Sequence, residues 1–151
     1  MTRLRALGLL LPLTFAAHIA EEYWGGFPAW ASAQVGLALT EPAWLSLNIQ
    51  FFGVMTVGVI AALLADAAQW LLIPLGTAVL INGIAHVAAS LITRSYSPGV
   101  ITGALLWIPL GLAIIRAARQ RWRRPVVLAG VLVGVGLHIL VPLSAYLVAR
   151  G

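Results

Sequence analysis

The sequence predicts an all-α integral membrane protein: a bundle of five transmembrane helices, N-terminus cytoplasmic and C-terminus outside, forming a single domain over residues 1–151. Three observations predict it. Of the 151 residues, 62% are hydrophobic and only 9% charged, with a mean hydropathy of +1.01. An ordinary soluble domain carries roughly 25% charged residues, so this chain has too few to coat a soluble surface. Four stretches, 42–65, 67–93, 95–115 and 125–149, contain no charged residue. Each is long enough to cross a hydrocarbon core of ~30 Å as a helix of about 20 residues. The third observation is the one-sided placement of arginine in a five-span chain.

The first helix, expected at about 5–24, is the least regular. Its uncharged run, 6–20, is short for a span and crosses only if the helix continues through His18, Glu21 and Glu22. Met1-Thr2-Arg3-Leu4-Arg5 followed by an apolar run also resembles a secretory signal. His18 stands where a small residue would mark the cleavage site, which argues against removal. The segment 25–42 is expected to be an outward-facing loop, with Trp24, Trp30 and Trp44 in the interfacial aromatic belt. Trp70 and Trp122 suit the inner interface.

Helices two to five are expected at about 43–65, 69–93, 99–117 and 125–148. Pro98-Gly99 fits the central positions of a type II turn, where glycine supplies the positive φ, and would open the fourth helix. That helix carries no ionisable group inside its span and reads as scaffold. Pro12, Pro74, Pro109 and Pro142 are expected to kink their helices, since each lacks an amide donor. Gly130 and Gly134 form a G-x-x-x-G for close helix approach within the bundle.

The net charge of +5 comes from arginine alone, because lysine is absent. Arg3, Arg5, Arg116, Arg119, Arg121, Arg123 and Arg124 fall on one side of the five-span arrangement, and Arg94 and Arg150 on the other. The positive-inside rule makes the first side cytoplasmic. These arginines read as topogenic, with lipid headgroups as partners. No base-reading stripe points to nucleic acid. Without cysteine the chain has no disulfide, thiolate metal site or thiol nucleophile. The bacterial inner (plasma) membrane is the expected location, and a homo-oligomer is compatible with the sequence.

Orientation then gives depth at ~1.5 Å of rise per residue. His18 falls ~20 Å from the cytoplasmic side, with Glu21 and Glu22 ~5 Å higher. His138 falls ~21 Å up, His86 ~12 Å below the outer surface, and Asn48 ~9 Å below it. All three histidines and two of the four acids therefore share one layer in the outer half of the bilayer. His18 shares a helix face with Glu21, Glu22 and Thr14, and Asn82, His86 and Ser90 form a stripe on the third helix.

His18-Ile-Ala-Glu21-Glu22 matches H-x-x-E-E, His86 supplies a further histidine, and Tyr96-Ser97-Pro98-Gly99 reads Y-x-P-G. In these features, in this order, the chain resembles the HXXEE-domain family of membrane proteins over most of its length. The resemblance implies a signature of His18, Glu21, Glu22, His86 and Tyr96; it supplies no reaction. His138 lies outside that signature and enters by depth alone.

A carboxylate in the hydrocarbon costs at least ~2.5 kcal/mol and marks a functional site by default. Two adjacent ones need a counter-charge. The first reading is a divalent metal, zinc, iron or manganese, on His18, Glu22 and His86 with His138 as a further ligand. Glu21, Glu22 and Tyr96 are then candidate catalytic groups, and Asn48 and Asn82 orient ligands from behind. Such a site would make the protein a small membrane enzyme acting on a lipid-like or isoprenoid substrate. The second reading is a metal-free acid–base isomerase or cyclase. The third is non-enzymatic: a proton or ion carrier, or a subunit of a membrane complex.

Overall fold

A computed structural model describes residues 1–37 and 39–148, with side chains through residue 140 and at 143. Arg150 and the extreme C-terminus lie outside the described residues. Among the described residues six helices follow one another: α1 Arg3–Gly25, α2 Phe27–Val35, α3 Glu41–Leu64, α4 Leu72–Thr93, α5 Val100–Arg121 and α6 Arg124–Val148. A 3₁₀ turn, Ala67–Leu71, leads into α4. No strand occurs among the described residues.

Two of the long helices begin at a threonine cap. Thr2 caps α1 by accepting the Arg5 amide, and Thr40 caps α3 by accepting the Ala43 amide. At the far end α1 runs on through His18, Glu21 and Glu22 to Gly26, whose left-handed backbone returns its N–H to the carbonyls of Glu22 and Tyr23. Ser97–Val100 closes the expected turn: the Val100 amide donates to the Ser97 carbonyl at 2.9 Å, and Gly99 sits at φ +99°. α5 widens to a π-helical turn at Gly103–Trp107 before resuming as α-helix.

The expected outward loop contains a helix. α2 occupies Phe27–Val35 between Gly26 and Gly36, both left-handed, with Pro28 in its first turn. Helices α1, α3, the Ala67–Thr93 stretch and α5 are long and apolar enough to cross a membrane.

α4 is the central helix, buried against α1, α5 and α6. Gly130 and Gly134 seat α6 on it: a Cβ at Gly130 would stand 2.8 Å from Ile73, and one at Gly134 would stand 2.5 Å from Thr77. The small-residue pair is thus an internal approach of helices. Leu11, Phe15, Met55, Leu72, Trp107 and Ile114 fill the interior, while Leu13, Val57, Leu91, Leu105 and Leu132 point outward. That outward apolar surface is what a lipid-facing helix presents.

At one end of the bundle Arg5 reaches Asp66 at 3.1 Å and donates through Nε to the Ala62 carbonyl at 2.9 Å. Arg121 approaches the same carboxylate at 3.8 Å. The N-terminus, the turn after α3 and the end of α5 therefore share one end, as the alternation of spans requires.

Candidate functional site

Near the opposite end of α1, three polar side chains meet in an apolar interior. His18 and Glu22, one turn apart, point inward from α1, and His86 comes from α4. Their exposures are 1%, 5% and 6%, so all three are buried. Glu22 Oε1 lies 3.1 Å from His86 Nε2 and 3.5 Å from His18 Nε2. The three ligand atoms lie within 4.8 Å of one another. The two histidine rings meet edge to face at 4.9 Å, and Trp107 stacks on His18 at 3.7 Å. Trp44 donates its indole N–H to Glu22 Oε2 at 3.1 Å.

Glu21 turns away from this cluster. Its Oε1 accepts from the Tyr96 hydroxyl at 2.7 Å and the Ile101 amide at 2.9 Å. Its Oε2 accepts from the Thr102 amide at 2.7 Å and the Thr102 hydroxyl at 2.6 Å. A carboxylate from α1 thereby caps the first turn of α5, where free amides and the positive end of the helix dipole favour an anion. Tyr96 serves the same cap. The two adjacent glutamates have divided roles: Glu22 faces the histidines, and Glu21 fixes the next helix.

The cap settles a tautomer. Thr102 Oγ1 has one proton, which goes to the acceptor-only Glu21 carboxylate. At 2.7 Å from His18 Nδ1 the same oxygen must therefore accept, so Nδ1 carries the hydrogen. In the neutral ring Nε2 is then a lone pair, and no hydrogen-bond donor meets it. A lone pair turned toward a carboxylate oxygen is repulsive unless a cation, either a proton or a metal ion, stands between them.

His86 is held from behind in a similar way, with Nδ1 3.1 Å from Ser97 Oγ. Ser97 is itself fixed by its amide, which donates to Ser90 Oγ at 3.0 Å. Gly99 closes the floor. A Cβ there would fall 2.7 Å from His18 Cε1 and 2.8 Å from His86 Cε1, so only glycine admits both rings.

The three other polar groups expected in this layer line adjoining cavities. Asn48, Asn82 and His138 all border both a small cavity of about 60 Å³ beside Phe15, His18 and Trp107 and a larger one of about 260 Å³ beneath α2. His138 thus stands beside the cluster and outside the group of three. Asn48 donates to the Trp44 carbonyl at 3.0 Å, behind the indole that holds Glu22. Asn82 Oδ1 is buried with no partner.

Two expectations are corrected. The fourth predicted helix, here α5, is no mere scaffold: its Thr102 orients His18 and its first-turn amides hold Glu21. A threonine near a helix start carries no charge to flag it, and only the fold brings it to His18. Trp44 is 3% exposed and leaves the aromatic belt to serve Glu22. Trp30 is also engaged, donating to Ser95 Oγ at 3.0 Å, whereas Trp24 is exposed.

Comparison with known proteins follows the same residues. The profile of a family described as "Protein of unknown function with HXXEE motif" matches residues 9–114. That span takes in His18, Glu21, Glu22, His86 and the turn at 96–99, and stops before His138. "Uncharacterized protein YrkK" of Bacillus subtilis (strain 168) is 28% identical over 140 residues, covering 83% of this chain and 84% of that protein. No solved structure matches.

Proposed function

Because the chain belongs to the family of proteins with the HXXEE motif, and because the inward residues of that motif meet His86, we propose that it is a membrane enzyme. In this reading it binds one divalent metal ion and acts on a lipid-like substrate. The ligands are His18 Nε2, His86 Nε2 and Glu22 Oε1. The observation that carries the reading is the buried Nε2 of His18, which makes no hydrogen bond among the described residues and stands 3.5 Å from Glu22 Oε1 while its other nitrogen is committed to Thr102.

The residues fit a metal in three respects. Contacts of 3.1 and 3.5 Å from Glu22 to the two imidazoles bracket the ~3.3 Å edge of a tetrahedron whose ligands stand about 2.0–2.1 Å from the ion. Imidazole and carboxylate suit zinc, iron or manganese, with no thiolate to favour a softer ion. Behind each histidine stands a hydroxyl, Thr102 backed by Glu21 and Ser97 backed by Ser90, as metal-bound imidazoles require. With three protein ligands, a bound ion keeps an open position at which water or a carbonyl oxygen can be activated.

The remaining parts follow from chemistry. Glu22 Oε2, held by Trp44, is oriented to exchange a proton while Oε1 faces the histidines. Glu21, its acceptor sites taken by four donors, is a positioning residue, and Tyr96 acts through it. His138 stands where it would meet a substrate in the cavities. We place α6 as a fifth span, with the N-terminus cytoplasmic and the cluster in the outer half of a bacterial plasma membrane. The one-sided arginines support that orientation.

The short contact between His86 and Glu22 supports one second reading, a metal-free acid–base pair able to isomerise or cyclise an apolar substrate. Elemental analysis of protein purified in mild detergent without chelator decides between them. About one equivalent of zinc, iron or manganese, lost in His18→Ala and in His86→Ala, is expected. No metal above background in folded protein overturns the metal reading and leaves the acid–base pair.

A further inference from the structure

The cavity of about 260 Å³ beneath α2 is lined by the polar side chains of Glu22, His86 and Asn82 together with Phe27, Trp30 and Leu39, and the Phe27 ring stands 5.5 Å from that of His86. It adjoins the smaller cavity beside His18, with Glu22, Asn48, Asn82 and His138 on the boundary of both. Neither lining contains an arginine, and the chain has no lysine. Its one acidic side chain, Glu22, is therefore faced by no fixed cation. With metal removed, a phosphate or carboxylate headgroup entering here would meet the Glu22 carboxylate and no lysine or arginine to pair with.

The lining offers an acceptor instead. Asn82 Oδ1 is buried and makes no hydrogen bond among the described residues, a cost that a donor arriving with a ligand would remove. The apolar part of the lining is aromatic and aliphatic, supplied by α2, the segment that follows it and the start of α3. The volume lies just below the about 300–1,000 Å³ typical of pockets for drug-sized molecules, a size that suits a single hydrocarbon chain.

We propose that this chamber binds an uncharged, single-chain lipid alcohol, its hydroxyl donated to Asn82 Oδ1 and its chain lying along Phe27, Trp30, Leu39 and Trp44. This deepens the enzyme reading and rests on it in one respect, that the hydroxyl is delivered to the Glu22–His86 centre for reaction. Binding itself needs only the chamber. The hydroxyl oxygen keeps lone pairs free toward the centre while its hydrogen is held by Asn82. Nothing in the lining selects among straight-chain and branched alcohols, so the class is set by the head and not by the tail.

The test uses full-length, chelator-treated protein in nanodiscs and two photo-crosslinking probes of equal chain length, a diazirine fatty alcohol and the matching fatty acid at mildly alkaline pH. Saturable labelling by the alcohol, mapped to peptides from α2 and the start of α3, is expected. The acid should bind about ten-fold more weakly, a difference of about 1.4 kcal/mol. Asn82→Ala should weaken the alcohol by a similar factor, and Gln50→Ala, on the exposed side of α3, should leave it unchanged. Equal labelling by alcohol and acid, or labelling spread over the lipid-facing helices, overturns the proposal without any variant. An unchanged affinity in folded Asn82→Ala protein overturns it as well. Because metal has been removed, absence of metal from the native protein would sink the metal reading and leave this result standing. Bound metal with no discrimination between the probes would sink the alcohol and leave the metal.

Discussion

Glu21 and Thr102 share two hydrogen bonds, hydroxyl and amide to the same carboxylate oxygen, at 2.6 and 2.7 Å. The contact spends the threonine's only proton and so obliges Thr102 Oγ1 to accept from His18. A residue at the start of α5 thereby decides which nitrogen of a histidine on α1 is available to a ligand. Thr102→Val removes this control while keeping shape. Metal affinity, measured by competition with a chromogenic chelator, should fall about 10–100-fold. Thr102→Ser should restore most of it. Affinity unchanged in Thr102→Val would mean that the tautomer is set elsewhere.

The division of labour between the glutamates predicts opposite phenotypes for adjacent substitutions. Glu21→Gln retains the shape of the cap but loses its charge. It should lower stability by about 1 kcal/mol, the usual scale of a helix cap, with metal stoichiometry kept near one. Glu22→Gln should abolish metal binding with a smaller effect on helix assembly. Thermal melts and elemental analysis on the same preparations read both quantities. The reverse pattern would transfer the ligand role to Glu21.

Two glycines with positive φ separate strain from site geometry. Gly99 has φ +99° and no room for a Cβ between His18 and His86; Gly36 has φ +69° and open space around it. An alanine in this region of backbone costs on the order of 1–3 kcal/mol wherever it sits. Gly36→Ala should show that loss alone, with metal binding intact. Gly99→Ala should add displacement of both rings and lose the metal even in molecules that remain folded. Equal metal content in the two variants would dissociate the turn from the centre.

Much of this was legible before the fold was known, and for physical reasons. Hydropathy and arginine placement lead to one expected level for His18, His86 and His138, and helical periodicity puts Glu22 one turn above His18 on the same face. Depth carries no azimuth, however. His138 shares the layer and lines the cavities yet stands outside the group of three. The groups that hold the histidines were invisible. Thr102 and Ser97 are ordinary hydroxyl residues, and their partners lie 84 and 11 positions away. Trp44 looks like an interfacial anchor from its sequence position because an indole suits both places. α2 is a nine-residue helix between two glycines, too short to show a period against its flanks.

Tyr96 supplies a pH signature outside the spans. Partial burial and the bonded Glu21 carboxylate raise its phenol from the ordinary value near 10 to about 12. The neutral hydroxyl is thus favoured by folding. The stability contributed by this bond should be fully present below about pH 10 and be lost as pH rises through about 12. Ultraviolet phenolate absorbance, as a difference between wild type and Tyr96→Phe, isolates this transition. A midpoint near 10 would show that the hydrogen bond to Glu21 does not persist. A midpoint near 12 also excludes Tyr96 as a phenolate base at neutral pH and leaves it as a donor to the cap.

The absence of cysteine makes topology directly testable. Any single cysteine introduced on an exposed side chain is the only thiol, so a membrane-impermeant maleimide reads its side of the membrane. Gln34 lies on α2 and Gln120 near the end of α5, both exposed. With the arginine-rich end cytoplasmic, Gln34→Cys should label in intact cells and Gln120→Cys only after permeabilisation. The inverse pattern would place the centre in the inner leaflet and turn the chamber under α2 toward the cytoplasm. A reporter fused to the C-terminus then decides on α6. If α6 crosses as a fifth span, a reporter active only outside the membrane is active; if α6 returns to the same face, it is silent and four spans remain. The first outcome makes the helix that carries His138 a spanning wall of the bundle beside the cluster.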